Sequence, residues 1–234
     1  MNLSIKKKRL KRKSFKKKGG QNNYHKINVS STLNVNQINN IPPIYEVKNF
    51  LSHEECCHLM NRALPYLETS KVVDSNNNAK HNNDRTSTSC YFSRESNINI
   101  CKRLSEIVNK DVNCFELLQV GRYLPNQFYR QHYDSIPPST KLGKSFCKNG
   151  GNRIITALIY LNDVKEGGHT YFPKLDIRIK PEQGKLLLFF PSFTNRKVDK
   201  KALHTAEDAI DEKLVSQIWI RQYERIQGIP SDER

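Results

Sequence analysis

What this chain lacks narrows its chemistry first. It has no acidic residue before Glu46 and no apolar run near the roughly 18 residues of a membrane helix. No apolar stretch of signal-peptide length follows the basic N-terminus. These absences argue against membrane or secretory targeting and leave the cytoplasm, the nucleus or a virus particle as the expected setting. None of the six cysteines forms a CxxC pair, so no zinc-ribbon spacing is indicated, and most are expected to be reduced thiols. There is no serine or cysteine triad pattern and no glycine-rich phosphate loop.

The charge that is present is concentrated. Of the formal +16, residues 6–18 (KKKRLKRKSFKKK) supply ten basic side chains and Lys26 an eleventh, which leaves about +5 for residues 27–234. Like charges in a block repel and cannot form a core, so residues 1–42, with the Asn-rich run before Pro42-Pro43, read as a disordered arm. Residues 6–18 suit contact with nucleic acid or another polyanion. The rest of the chain shows no basic stripe interleaved with aromatics, so a nucleic-acid-binding module is not the first reading.

Residues 43–113 read as a helical support region. The segment 49–67 places Ser52 as a cap, Glu54 and Glu55 in a first turn, and Cys56, Leu59, Met60, Ala63 and Leu64 on one face. Residues 95–110 repeat the pattern with Ile98, Cys101, Leu104, Ile107 and Val108. Between them, 70–90 is polar and unpatterned and reads as a lid-like loop. From residue 114 to 226 the period changes to short apolar or alternating runs broken by Pro125, Gly150-Gly151, Gly167-Gly168, Pro181 and Gly184. The spacing predicts an antiparallel sandwich or barrel, with 227–234 as a tail. The expected class is α+β, mainly β: a double-stranded β-helix (jelly roll) core supported by N-terminal helices.

Within that half, QHYD sets His132 and Asp134 two residues apart, and His204 stands 70 residues beyond Asp134. On a strand such a pair projects from one face. A histidine from a strand across the barrel would complete the two-histidine, one-carboxylate set that holds Fe(II) with open positions. By spacing alone the pair is a weak signal.

The surrounding runs sharpen it. QVGRYLPNQFYRQHYD (119–134) resembles the YxxGQxYxxHxD signature of the prolyl 4-hydroxylase branch of the Fe(II)/2-oxoglutarate dioxygenases, with Tyr123, Gln127, Tyr129, His132 and Asp134 in register. NRIITALIYLNDVKEGGHTYFP (152–173) is similar to that branch's RxxTxLxYLNxVxxGGxTxFP stretch. GKLLLFFP, His204, Lys213 and Trp219 then follow in the same order. The resemblance implies a jelly-roll dioxygenase using Fe(2+), 2-oxoglutarate, O2 and L-ascorbate, which hydroxylates proline in a peptide or protein and releases succinate and CO2. It implies metal ligation by His132, Asp134 and His204. It implies contact of 2-oxoglutarate with Lys213, Tyr123 and Thr156, and of substrate with Arg85 and Ser87 (in Arg85-Thr86-Ser87), Tyr129, Arg153 and Trp219.

Some positions depart from the pattern. Asn126 stands where the branch has Gly, His169 replaces a smaller or acidic residue, and TAEDAIDE before Lys213 is one residue short, which puts that lysine's placement in question. Two alternatives stay open: a nucleic-acid or other-protein oxygenase of the same superfamily, and a non-catalytic jelly-roll module tethered to a polyanion.

Overall fold

The computed structural model describes residues 22–29, 34–73, 79–80 and 83–226. Strands β1 (Val35–Asn40) and β2 (Pro43–Val47) lead into helix α1 (His53–Ala63). Short strands β3 (Glu68–Thr69), β4 (Val72–Val73) and β5 (Ala79–Lys80) precede β6 (Thr88–Phe92) and helix α2 (Ile98–Val108). Next come β7 (Leu118–Tyr123), β8 (Tyr129–His132), a short helix α3 (Lys141–Phe146), β9 (Arg153–Tyr160), β10 (Thr170–Phe172) and β11 (Ile177–Ile179). The chain continues through β12 (Leu186–Phe189), β13 (His204–Ala206) and β14 (Lys213–Arg221).

An eight-stranded sheet, β1-β2-β12-β9-β14-β7-β6-β3, faces a four-stranded sheet, β11-β10-β13-β8, and the strand pairs in both are antiparallel. This is the expected jelly roll. The period of two along β9 explains why that strand reads as unbroken apolar sequence. Ile155, Ala157 and Ile159 face α1 and α2 in one core, while Leu158 and Tyr160 face the second sheet in another. Helix α1 begins where the sequence marks it: Ser52 and Glu55 form a reciprocal capping box, and Cys56, Leu59 and Ala63 are buried. Ser52→Ala is expected to lower stability by about 1 kcal/mol in urea unfolding, the usual cost of losing such a cap.

Three expectations are corrected. The arm expected to run to residue 42 ends earlier, because β1 pairs with β2 from Val35 to Asn40 and Tyr24 packs on Phe190 and Phe193. An Asn-rich strand is tolerated here because β1 is an edge, where polar side chains reach water. The basic run 6–18 and the tail 227–234 lie outside the described residues. The expected loop 70–90 is shorter as well: Thr88–Phe92 form β6 against β7, and β4 pairs with β5. The stretch 134–151, which has no apolar period, contains α3, capped by the Thr140 hydroxyl. In the helices, Ile98 and Leu64 turn outward. The six cysteines are free thiols, as expected. Among the described residues no helix is long and apolar enough to cross a membrane.

Candidate metal centre and active site

His132 and His204 are direct cross-strand partners on β8 and β13, their rings 4.2 Å apart. The third candidate ligand thus comes from the neighbouring strand of the same sheet and not from across the barrel. Asp134 lies two residues past the last residue of β8. His132 Nε2 is 3.7 Å from one Asp134 oxygen and His204 Nε2 is 3.6 Å from the other. All three ligand atoms lie within 4.8 Å of one another.

The donor chemistry fits a metal. His132 Nδ1 lies 2.8 Å from the Arg130 carbonyl and His204 Nδ1 lies 3.0 Å from the Ala202 carbonyl. A carbonyl only accepts, so both protons sit on Nδ1 and both Nε2 lone pairs point inward. Burial, reinforced by the facing His204, pushes His132 down to about 3, so it stays neutral. Burial works against ionisation of Asp134. The two histidines, Arg153 and the Thr156 hydroxyl outweigh it and hold its carboxyl below the usual range. Two imidazoles that turn Nε2 inward and one carboxylate make a donor set that suits Fe(II).

The flanking side chains have particular supports. Thr156 donates to Asp134 Oδ2 at 2.6 Å, so this residue steadies a ligand as well as lining the adjoining pocket. Thr156→Val is expected to weaken Fe(II) binding about tenfold, the low end for loss of an outer partner, as read by metal titration. Tyr129 stacks on His132 with centroids 3.5 Å apart.

Period-two alternation on β14 sends Lys213, Val215, Gln217, Trp219 and Arg221 to the face opposite the core residues Leu214, Ile218 and Ile220. Lys213 is 1% exposed and lies opposite Tyr123 in register. Its Nζ sits 4.5 Å above the Tyr123 ring and donates to Gly168 O at 2.6 Å. Burial pushes this ammonium down to about 7, with Glu207 pulling weakly the other way. The shortened TAEDAIDE segment therefore still delivers Lys213 to the pocket that Thr156, His132 and His204 share. The glycine pair is part of that delivery. At Gly168 (φ +64) a Cβ would stand 3.2 Å from the Lys213 stem, and at Gly167 (φ +73) it would meet Ile210 N at 2.6 Å. Asn126 sits at φ +67, a left-handed turn conformation that Asn, like Gly, tolerates. His169 points to Glu207, 3.8 Å away, and is not among the metal donors.

On the other side of the triad a cleft of about 990 Å³ is lined by Arg85, Tyr129, His132, Asp134, Arg153 and Trp219. Arg153 lies 3.8 Å over the Trp219 ring and is clamped by Glu116 at 2.7 and 2.5 Å. Arg85 donates to Ser87 Oγ at 3.1 Å and to Gln119 at 3.2 Å, and lies 4.9 Å over Tyr129. Ser87 itself is fully buried, bonded to Ser70 and Arg85, and does not reach the cleft.

Sequence reasoning missed Glu116, whose buried carboxylate binds both Arg153 and Arg221, and Gln217, which lines the Lys213 pocket. Alternation along β14 was the signal available for Gln217. For Glu116 there was none, since its partners are 37 and 105 residues away.

The sequence pattern of the 2OG-Fe(II) oxygenase superfamily matches residues 118–221. A putative prolyl 4-hydroxylase of Acanthamoeba polyphaga mimivirus is 34% identical over 186 residues, covering 76% of this chain and 74% of the relative. Prolyl 4-hydroxylase 1 of Arabidopsis thaliana is 33% identical, covering 77% and 69%. The crystal structure of a viral collagen prolyl hydroxylase from Paramecium Bursaria Chlorella virus-1, as its 2OG complex, superposes with a TM-score of 0.59 at 29% identity, covering 76% of this chain and 95% of that one. Fold, donor set and similarity define the class, an iron(II)- and 2-oxoglutarate-dependent dioxygenase. Within it, the chain belongs to the prolyl 4-hydroxylase family.

Proposed function

We propose that this chain hydroxylates proline in a peptide or protein, with 2-oxoglutarate and O2 consumed and succinate and CO2 released. The observation that carries the reading is the cleft opening directly on His132 and Asp134, walled by Tyr129, Trp219 and two stacked arginines. Extended proline-rich segments dock on such aromatic walls, because their preformed backbone loses little entropy on binding. Trp219 adds a buried indole N–H with no hydrogen-bond partner among the described residues, which suits a peptide carbonyl.

His132, Asp134 and His204 would hold iron(II), which would supply the oxygen activation that couples decarboxylation of 2-oxoglutarate to hydroxylation, with L-ascorbate as reductant. The protein's own residues orient and exclude. Lys213 pairs with the distal carboxylate of 2-oxoglutarate, with Tyr123 beside it and Thr156 on the pocket wall. Arg85, Tyr129, Arg153 and Trp219 hold the peptide, and Ser87 holds Arg85.

The test is incubation with Fe(II), ascorbate, 2-oxoglutarate and a proline-rich peptide. Succinate together with a peptide heavier by one oxygen atom, both lost in His132→Ala, is the expected result. Succinate without peptide modification would overturn the peptide reading, and equal turnover by His132→Ala would overturn the metal assignment.

A further inference from the structure

We infer that Tyr24 is a positioning residue for the metal centre, acting on His204 through Asp199. The inference rests on the reading of His132, Asp134 and His204 as metal ligands.

Residues 22–29 run outside both sheets, yet they are tied down at two places. At one, Asn23 O accepts from Thr194 N at 2.8 Å and from Thr194 Oγ1 at 3.0 Å. The Tyr24 ring lies against Phe190 and Phe193, with centroids 6.0 and 4.8 Å away. At the other, Asn28 donates from its backbone to Ile107 O and from its side chain to Glu106 O, both at 2.8 Å. The segment therefore straps the end of α2 to the loop 191–199, which precedes the distal histidine.

Tyr24 donates its hydroxyl to Asp199 Oδ2. The other oxygen of this buried carboxylate accepts from Lys201 N at 2.9 Å and caps the single 3-10 turn Lys200–Ala202. The last residue of that turn presents the carbonyl that takes the His204 Nδ1 proton at 3.0 Å. The same loop reaches the other ligand strand. Pro191 O accepts from Asp199 N at 3.0 Å and from Ser135 Oγ at 2.8 Å, and Ser135 adjoins Asp134. Three links thus run from the strap to the imidazole, each a hydrogen bond made in the interior or at its edge. Removing the hydroxyl leaves a buried carboxylate oxygen without its donor, and the cap can then turn toward water. The carbonyl that orients His204 moves with it, and ring orientation sets ligand strength.

The experiment is Co(II) titration of the full chain, followed by the visible d–d absorption of the bound ion, alongside thermal melting. Tyr24→Phe keeps the ring packing and removes only the hydroxyl. Asn28→Ala weakens the strap at its far anchor, away from the turn. The expected result is Co(II) affinity reduced about tenfold in Tyr24→Phe with an altered absorption band, and affinity within about twofold of the parent in Asn28→Ala even where its melting temperature falls as far. Tyr24→Phe binding like the parent, or Asn28→Ala weakening the metal equally, overturns the inference. Failure of the parent chain itself to take up Co(II) overturns the metal reading, and the inference with it.

Discussion

His204→Ala is expected to abolish succinate formation, with metal affinity reduced at least about a thousandfold, beyond the 10- to 100-fold that loss of an outer partner costs. The three donor atoms lie within 4.8 Å, and each is held by its own support: the Arg130 carbonyl, the Ala202 carbonyl and the Thr156 hydroxyl. Two remaining donors cannot close a facial set, and no other His, Cys, Asp or Glu among the described residues joins this cluster. Metal content of the purified variant, measured beside its succinate yield, checks the result. Retained iron with lost turnover would place the defect elsewhere than in ligation.

The second large effect concerns Lys213. Lys213→Met keeps the aliphatic stem and removes the charge, and it is expected to raise the KM for 2-oxoglutarate by about 30-fold or more, the cost of truncating one partner of a buried charge pair (about 2–5 kcal/mol). Stability of the ligand-free protein should not fall, because the parent spends free energy burying this ammonium. The same burial predicts a pH dependence whose sign is fixed. Lys213 is pushed down to about 7 without ligand, and the dianionic cosubstrate binds the charged form. Below about pH 7 the lysine is already protonated and affinity is flat with respect to this group. Above it, binding must take up a proton, so affinity falls about tenfold per pH unit (about 1.4 kcal/mol) until the bound-state value is passed. Calorimetry with 2-oxoglutarate at pH 6.5 and 8.5 should differ by a factor on the order of 30 in the parent and be nearly equal in Lys213→Met. A flat profile in the parent would remove Lys213 from the cosubstrate site.

How far the site could be read in advance differs from residue to residue. His132, Asp134, His204 and Lys213 belong to short motifs whose order is visible along the chain, and the fold sets His132, His204 and Lys213 around one pocket with Asp134 beside the two histidines. The motif order marks Thr156 as a pocket residue, but its bond to Asp134 spans 22 positions and depends on how β9 sits beside the end of β8. The Arg85-Thr86-Ser87 motif marks Ser87 as a substrate contact. It lies buried beneath Arg85, because its bonds to Ser70 and Arg85 hold it inward. The Asn-rich stretch before residue 42 reads as unfolded by composition, yet β1 pairs along an edge and Tyr24 finds an aromatic seat, neither of which local composition records.

By itself the sequence determined the local features: the capped start of α1, the change of period near residue 114, the glycine-pair turn, and the order of the candidate metal donors. These depend on neighbours within a few residues or on motif spacing, so they are written in the linear chain. Tertiary structure alone decided which distant groups meet. It set His204 opposite His132, gave Glu116 two arginines, placed Lys213 over Tyr123 and joined Tyr24 to Asp199. Buried polar and charged groups must find partners wherever the packing brings them, and those partners lie far apart along the chain.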